Sequence, residues 1–80
     1  MKYVIYTDPG HAWLRVPLSE VIKLQERGLQ VSNYSYRNSK YAFLEEDCDM
    51  PRYFKFIGEN APEYQEIYHE NSPVRYMERL

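Results

Sequence analysis

The sequence predicts an α+β fold, a mostly antiparallel sheet with two helices packed on one face. Three observations lead there. Two stretches repeat apolar residues at i, i+3, i+4, and each is closed by a glycine. The segments around them are short, rich in β-branched and aromatic residues, and bounded by turn residues. Read along the chain, they give the order β-β-α-β-β-α-β.

Lys2 to Thr7 has the composition of a strand, with Tyr3 and Ile5 on one face and Val4 and Tyr6 on the other. A strand apolar on both faces belongs inside its sheet. Asp8-Pro9-Gly10 is a turn, because proline fixes one φ and glycine permits a positive one. Trp13 to Val16 then returns antiparallel to the first strand, with His11 in the loop between them.

Pro17 to Arg27 reads as a helix that Pro17 or Ser19 starts. Leu18, Val21 and Ile22 make its buried face, Leu24 lies at the margin, and Leu29 packs back past Gly28 at C′. Val31 to Arg37 alternates, with Tyr34 and Tyr36 on one face and Asn33, Ser35 and Arg37 on the other. Asn38-Ser39-Lys40 turns the chain into a strand from Tyr41 to Glu45, completing a hairpin. Asp47 or Asp49 caps a second helix, with Pro51 in its first turn and Met50, Tyr53, Phe54 and Ile57 facing inward. Gly58 ends it. Glu63 to His69 is the last strand, broken by Asn71-Ser72-Pro73; the tail from Val74 to Leu80 has no clear period.

Eighty residues suffice for one domain, 1–80, with a core in which large aromatics carry much of the burial. No apolar run approaches the roughly 20 residues of a membrane span, and a charge follows the first apolar run too soon for a signal peptide. The single cysteine, Cys48, precludes an internal disulfide and a multi-cysteine zinc site. The expected setting is cytoplasmic, without membrane attachment. Ten basic against twelve acidic residues give a net charge of −2, which argues against nucleic acid as a general partner and is not acidic enough for a DNA mimic. Nine tyrosines are the compositional anomaly, and tyrosine suits both thin cores and binding surfaces.

Several residues could carry chemistry. Asp8, His11 and Trp13 lie on or beside the first loop, where a carboxylate-oriented histidine would serve as general base or ligand. The plainer account is that Asp8 forms an Asx-type turn, His11 bonds to backbone and Trp13 is core. Glu45, Glu46, Asp47 and Asp49 supply oxygens of the kind hard cations want, but no glycine stands where a calcium loop needs one. Solvation of a strand end and of a positive helix N-terminus explains the run more simply. At that same terminus the dipole would activate Cys48, while the neighbouring carboxylates oppose its thiolate. Tyr34, Tyr36 and Tyr41, with Arg37 and Lys40, could stack bases, but a base-stacking sheet sits in a basic field and this chain is net acidic, so core or cross-strand pairing is the better account. His69 reads as a surface histidine. No phosphate-cradling loop and no nucleophile elbow is present, and the sequence calls for no cofactor.

Four segments in fixed order carry a resemblance: Tyr6-Thr7-Asp8-Pro9-Gly10-His11-Ala12-Trp13, Tyr34-Ser35-Tyr36-Arg37, Leu44-Glu45-Glu46-Asp47-Cys48-Asp49, and Tyr68-His69-Glu70-Asn71 with Val74-Arg75. Together they resemble a family of small proteins of bacteriophages, prophages and plasmids, over nearly the whole chain. The family carries no agreed activity. Its members have a Lys/Arg-rich turn where this chain has Glu70-Asn71-Ser72-Pro73. The resemblance implies a mobile-element setting, in which small proteins bind host machinery as counter-defence or anti-CRISPR inhibitors.

These readings converge on a non-enzymatic protein that binds a host protein or a ribonucleoprotein defence complex. Its expected recognition surface is Arg37, Glu45, Glu46 and Asp47, with the loop of Asp8, His11 and Trp13 beside it, and with Tyr34 and Tyr36 turned inward. The alternative is a small metal- or nucleotide-dependent enzyme, or a ligand-binding protein, built on Asp8, His11 and the acidic run.

Overall fold

The computed structural model describes residues 2–80. Strands β1 (Lys2–Thr7) and β2 (Ala12–Pro17) precede helix α1 (Leu18–Glu26). Strands β3 (Tyr36–Arg37) and β4 (Tyr41–Glu45) lead to helix α2 (Asp49–Ile57) and strand β5 (Glu63–Tyr68). A 3-10 turn (Pro73–Tyr76) and a short strand β6 (Glu78–Arg79) end the chain. The six strands form one mixed sheet in the order β5-β1-β2-β4-β3-β6. The α+β class and the two helices stand as expected, and β1 lies inside the sheet. Four of the five pairings are antiparallel; β5 crosses over to run parallel to β1.

The period-two pattern divides the sheet into two faces. Ile5, Leu14, Val16, Ala42 and Leu44 face both helices and bury against Leu18 and Val21 of α1 and Met50, Tyr53 and Phe54 of α2. Leu29 closes this core from beyond α1, where its N–H bonds to Leu24 C=O. Gly28 and Gly58 take positive φ of 112° and 76°, which ends each helix in a conformation that side chains resist. Tyr53 spans the two helices by donating its hydroxyl proton to Glu20 Oε2 at 2.6 Å. Burial, reinforced by that bond, pushes the Tyr53 hydroxyl well above its ordinary pKa, so it remains a donor.

The face away from the helices is not an open surface of Arg37 and the acidic run but a second, aromatic cluster. Trp13 and Phe43 are buried there under Val74, with Tyr6, Tyr36, Tyr41 and Met77 packed around them. The tail that had no clear period supplies this cover, because the 3-10 turn lays Val74 on the sheet and β6 pairs with β3. Edge-on ring contacts join Tyr6 to Phe43 at 5.4 Å and Trp13 to Tyr36 at 6.2 Å between centroids.

The hairpin departs most from the sequence reading. Only Tyr36 and Arg37 pair with β4, not Val31 to Arg37. The segment before them is turned aside by Asp49, which is 1 % exposed. Its carboxylate accepts from Ser32 N–H at 2.8 Å, from Ser32 Oγ at 2.7 Å and from Ser35 Oγ. Ser35 Oγ in turn accepts Glu45 N–H at 2.9 Å. Ser35 is therefore buried, and Tyr34 is 61 % exposed rather than turned inward. The cap of α2 changes for the same reason. Cys48 occupies the N-cap position with no side-chain cap, while Asp49 is the first helical residue and reaches the loop instead. Asp47 does not cap either, and its N–H bonds to the Glu45 carboxylate. α1 likewise starts after Pro17 without a side-chain cap, its Leu18 N–H bonding to Lys40 C=O. Ile22 and Ile57, expected inside, are 45 % and 37 % exposed, because each helix has only nine residues and its buried stripe is narrow.

Two outcomes follow for stability. Asp49→Ala leaves three donors without their acceptor and should cost about 3 kcal/mol or more in urea unfolding; a loss below about 1 kcal/mol would remove this carboxylate from the centre of the fold. Phe43→Ala should cost about 3–5 kcal/mol, whereas Tyr34→Ala should stay within about 0.5 kcal/mol. Equal losses would show that Phe43 and Tyr34 are packed alike.

Candidate functional site

The β1–β2 turn and the C-terminal 3-10 turn meet at one end of the sheet. Asp8 begins the turn as the sequence suggests: its Oδ1 accepts Gly10 N–H at 3.0 Å and His11 N–H at 2.9 Å. What the sequence does not show is its third partner. Arg75 donates from Nε to Asp8 Oδ2 at 2.5 Å and from Nη2 to Oδ1 at 3.1 Å, a forked ion pair joining residues 67 positions apart. The Asp8 side chain is almost fully buried, and the Arg75 guanidinium holds its carboxyl well below the usual carboxylate range. Gly10 belongs to this contact, since a Cβ there would come within 3.3 Å of Arg75 Nη2.

Arg75 also reaches His11, with Nη2 at 2.8 Å from Nδ1. A guanidinium only donates, so Nδ1 accepts and Nε2 carries the ring proton. The imidazole stacks on Trp13 with 5.7 Å between centroids, and the Arg75 guanidinium lies 5.5 Å from the Trp13 ring. Asp8 thus holds the His11 backbone directly and its imidazole through Arg75.

These residues form one wall of an open cleft of about 430 Å³. Tyr34, Tyr36 and Arg79 form another; Arg79 lies 4.9 Å over the Tyr36 ring and donates to Asn33 C=O at 2.8 Å. Glu45, Asp47 and Cys48 complete the lining. The loop of His11 and the acidic run therefore do converge. Among the described residues, however, no three His, Cys, Asp or Glu side chains are placed to share a metal ion. His11 and Cys48 share the cleft without a hydrogen bond between them, Nδ1 being engaged by Arg75.

The remaining sequence candidates scatter. Glu46 is exposed and outside the cleft lining. Arg37 is half-buried on β3, its Nε buried without a hydrogen-bond partner among the described residues. His69 is half-buried and stacked on Tyr6 at 6.2 Å rather than simply exposed. Trp13 is buried, so it shapes the cleft more than it presents a free face. Arg75, which entered the sequence reading only within the Val74-Arg75 segment of the resemblance, and Arg79, which had no assigned role there, are the functional residues that the sequence did not single out. Their one signal was two arginines in an otherwise unpatterned segment.

Comparison with known proteins brings no assignment to this geometry: no family model, curated protein or solved structure matches the chain.

The depressed Asp8 pKa fixes the sign of a pH effect. A carboxyl that titrates lower in the folded than in the unfolded chain adds stability above its unfolded pKa of about 3.9, and that stability is lost as pH falls further. Thermal melts should show the wild type losing Tm between about pH 4 and pH 2. Arg75→Gln, which starts lower, should lose less over that interval. Parallel curves for the two proteins would show that the ion pair does not couple to folding.

Proposed function

We propose that this chain is a non-enzymatic binding protein that engages a partner protein through the cleft between the β1–β2 turn, the Tyr34 loop and the C-terminal arginines. The supporting observation is the make-up of that cleft. Tyrosine, tryptophan and arginine dominate the binding energy of protein interfaces, and here Tyr34, Tyr36, Trp13, Arg75 and Arg79 surround one concavity. Tyr34 is largely exposed, and Tyr76, next to Arg75, is 75 % exposed. An exposed tyrosine beside arginines on a concave surface is the composition that protein interfaces favour.

The acid–base groups of the cleft favour binding over turnover. Asp8 spends its lone pairs on two backbone N–H groups and Arg75, and His11 Nδ1 is occupied by the same guanidinium. Glu45 and Asp47 in the same lining give the surface both signs of charge, which suits selection of one partner by complementarity. The resemblance to small phage, prophage and plasmid proteins supplies a setting for this activity: an accessory protein of a mobile element acting in the host cytoplasm, which binds a host protein or a ribonucleoprotein defence complex in the manner of an anti-CRISPR inhibitor.

The test pairs binding with interference. Tagged protein incubated with host lysate should retain a stoichiometric partner and lower the activity of a host defence system in a plaquing assay. Tyr34→Ala with Arg79→Glu should reduce both by about tenfold or more, with Tm little changed. A wild type that retains nothing and protects no phage, or a folded variant that acts as well as the wild type, would overturn the reading.

A further inference from the structure

At the other end of the sheet, where β1 begins and β2 hands over to α1, lies a second groove of about 790 Å³. Its walls carry four cations, Lys2, Arg15, Lys23 and Arg27, and one carboxylate, Glu20. Glu20 is already engaged, since Oε2 accepts the Tyr53 hydroxyl. Among the described residues none of the four cations lies within salt-bridge distance of a carboxylate. In a chain of net charge −2, four cations against one lining carboxylate make a local excess of positive charge.

The rest of the groove is apolar and aromatic. The Arg15 guanidinium lies 4.6 Å from the Tyr41 ring centroid, and Val4, Val16 and Leu24 add apolar lining where the groove wraps round the end of the sheet. The volume falls in the range of about 300–1,000 Å³ that small-molecule sites occupy. A lone inorganic anion would leave the apolar lining unused. A fatty acid, with one charge, would leave most of the cations unpaired. A ligand with two or three negative charges on a flat ring system satisfies both halves of the groove, because arginine and lysine pair with phosphate oxygens while aromatic faces and planar guanidinium groups stack with bases.

We propose that this groove binds a nucleoside diphosphate or a closely similar nucleotide, its phosphates held by Lys2, Lys23 and Arg27 and its base placed against Tyr41 and Arg15. The site is separate from the partner-binding cleft and stands or falls independently of it.

Calorimetric titration of the intact protein with ADP, adenosine and pyrophosphate tests this. ADP should bind at sub-millimolar concentration and weaken as salt rises, with adenosine and pyrophosphate each at least about tenfold weaker than ADP. Lys23→Glu in α1 with Arg27→Glu just past its end, both exposed, should weaken ADP by at least about tenfold and leave Tm nearly unchanged. Should that pair fail to fold, Lys23→Gln with Arg27→Gln should give the same loss in the same titration. No heat from millimolar ADP, or unchanged ADP binding by a folded double variant, would overturn the proposal. So would pyrophosphate binding as tightly as ADP, which would mark a simple anion site. An oligothymidylate that binds far more tightly than ADP would overturn it in favour of a single-stranded nucleic acid.

Discussion

The Asp49 carboxylate is nearly sealed from water, and its lone pairs are filled by the Ser32 N–H and by the hydroxyls of Ser32 and Ser35. The nearest cation, Arg52, stands 4.0 Å away at the exposed edge, so hydrogen bonds rather than an ion pair make the burial tolerable. Through Ser35 the same cluster holds the end of β4, because Ser35 Oγ accepts Glu45 N–H, and the chain end, because Ser35 C=O accepts Leu80 N–H. One buried charge thus fixes the start of α2, the loop before β3, the end of β4 and the C-terminus relative to one another. The Tyr34, Tyr36, Glu45 and Cys48 side of the cleft hangs from those points.

The second constraint is the return of the tail. Val74 lies against Trp13 and Phe43, which makes the face opposite the helices a small core in its own right. A sheet covered by helices on one side only would present Tyr6, Trp13, Tyr36, Tyr41 and Phe43 to water, a patch that favours aggregation. Covering them costs only a 3-10 turn of four residues and a two-residue strand. The same turn carries Arg75 to Asp8, so the packing that protects the aromatic face also builds the polar wall of the cleft. Structure and candidate site are here consequences of one chain path.

Charge is distributed along the molecule in a way that its total conceals. Glu45, Glu46 and Asp47 gather where β4 ends, while Lys2, Arg15, Lys23 and Arg27 gather around the groove at the opposite end of β1 and β2. The antiparallel register produces this separation, since β1 starts where β2 ends and β4 ends opposite Trp13 near the start of β2. A field that differs between its two ends orients an approaching partner more than it raises affinity. The two ends therefore suit different ligands.

The α+β class, both helices and their glycine stops, the interior position of β1 and the Asx turn at Asp8 were legible in the sequence, because each depends on contacts within a few residues or on a simple period. Convergence of His11 with the acidic run was legible only as an option. The sequence read Val31 to Arg37 as a strand with buried tyrosines, since its alternation is genuine, but alternation carries no information about a carboxylate 17 residues further on that takes the Ser32 N–H for itself. Ile22 and Ile57 followed the helical period yet stand outside the core, because the period gives a direction and not the breadth of the sheet beneath. The tail was unreadable for a related reason: Val74, Arg75 and Arg79 have meaning only against Trp13, Asp8 and Tyr36. Local propensity and periodicity are written in neighbouring residues, whereas the pairing of Asp8 with Arg75 and of Asp49 with two serines exists only once the sheet has brought distant segments into hydrogen-bond range.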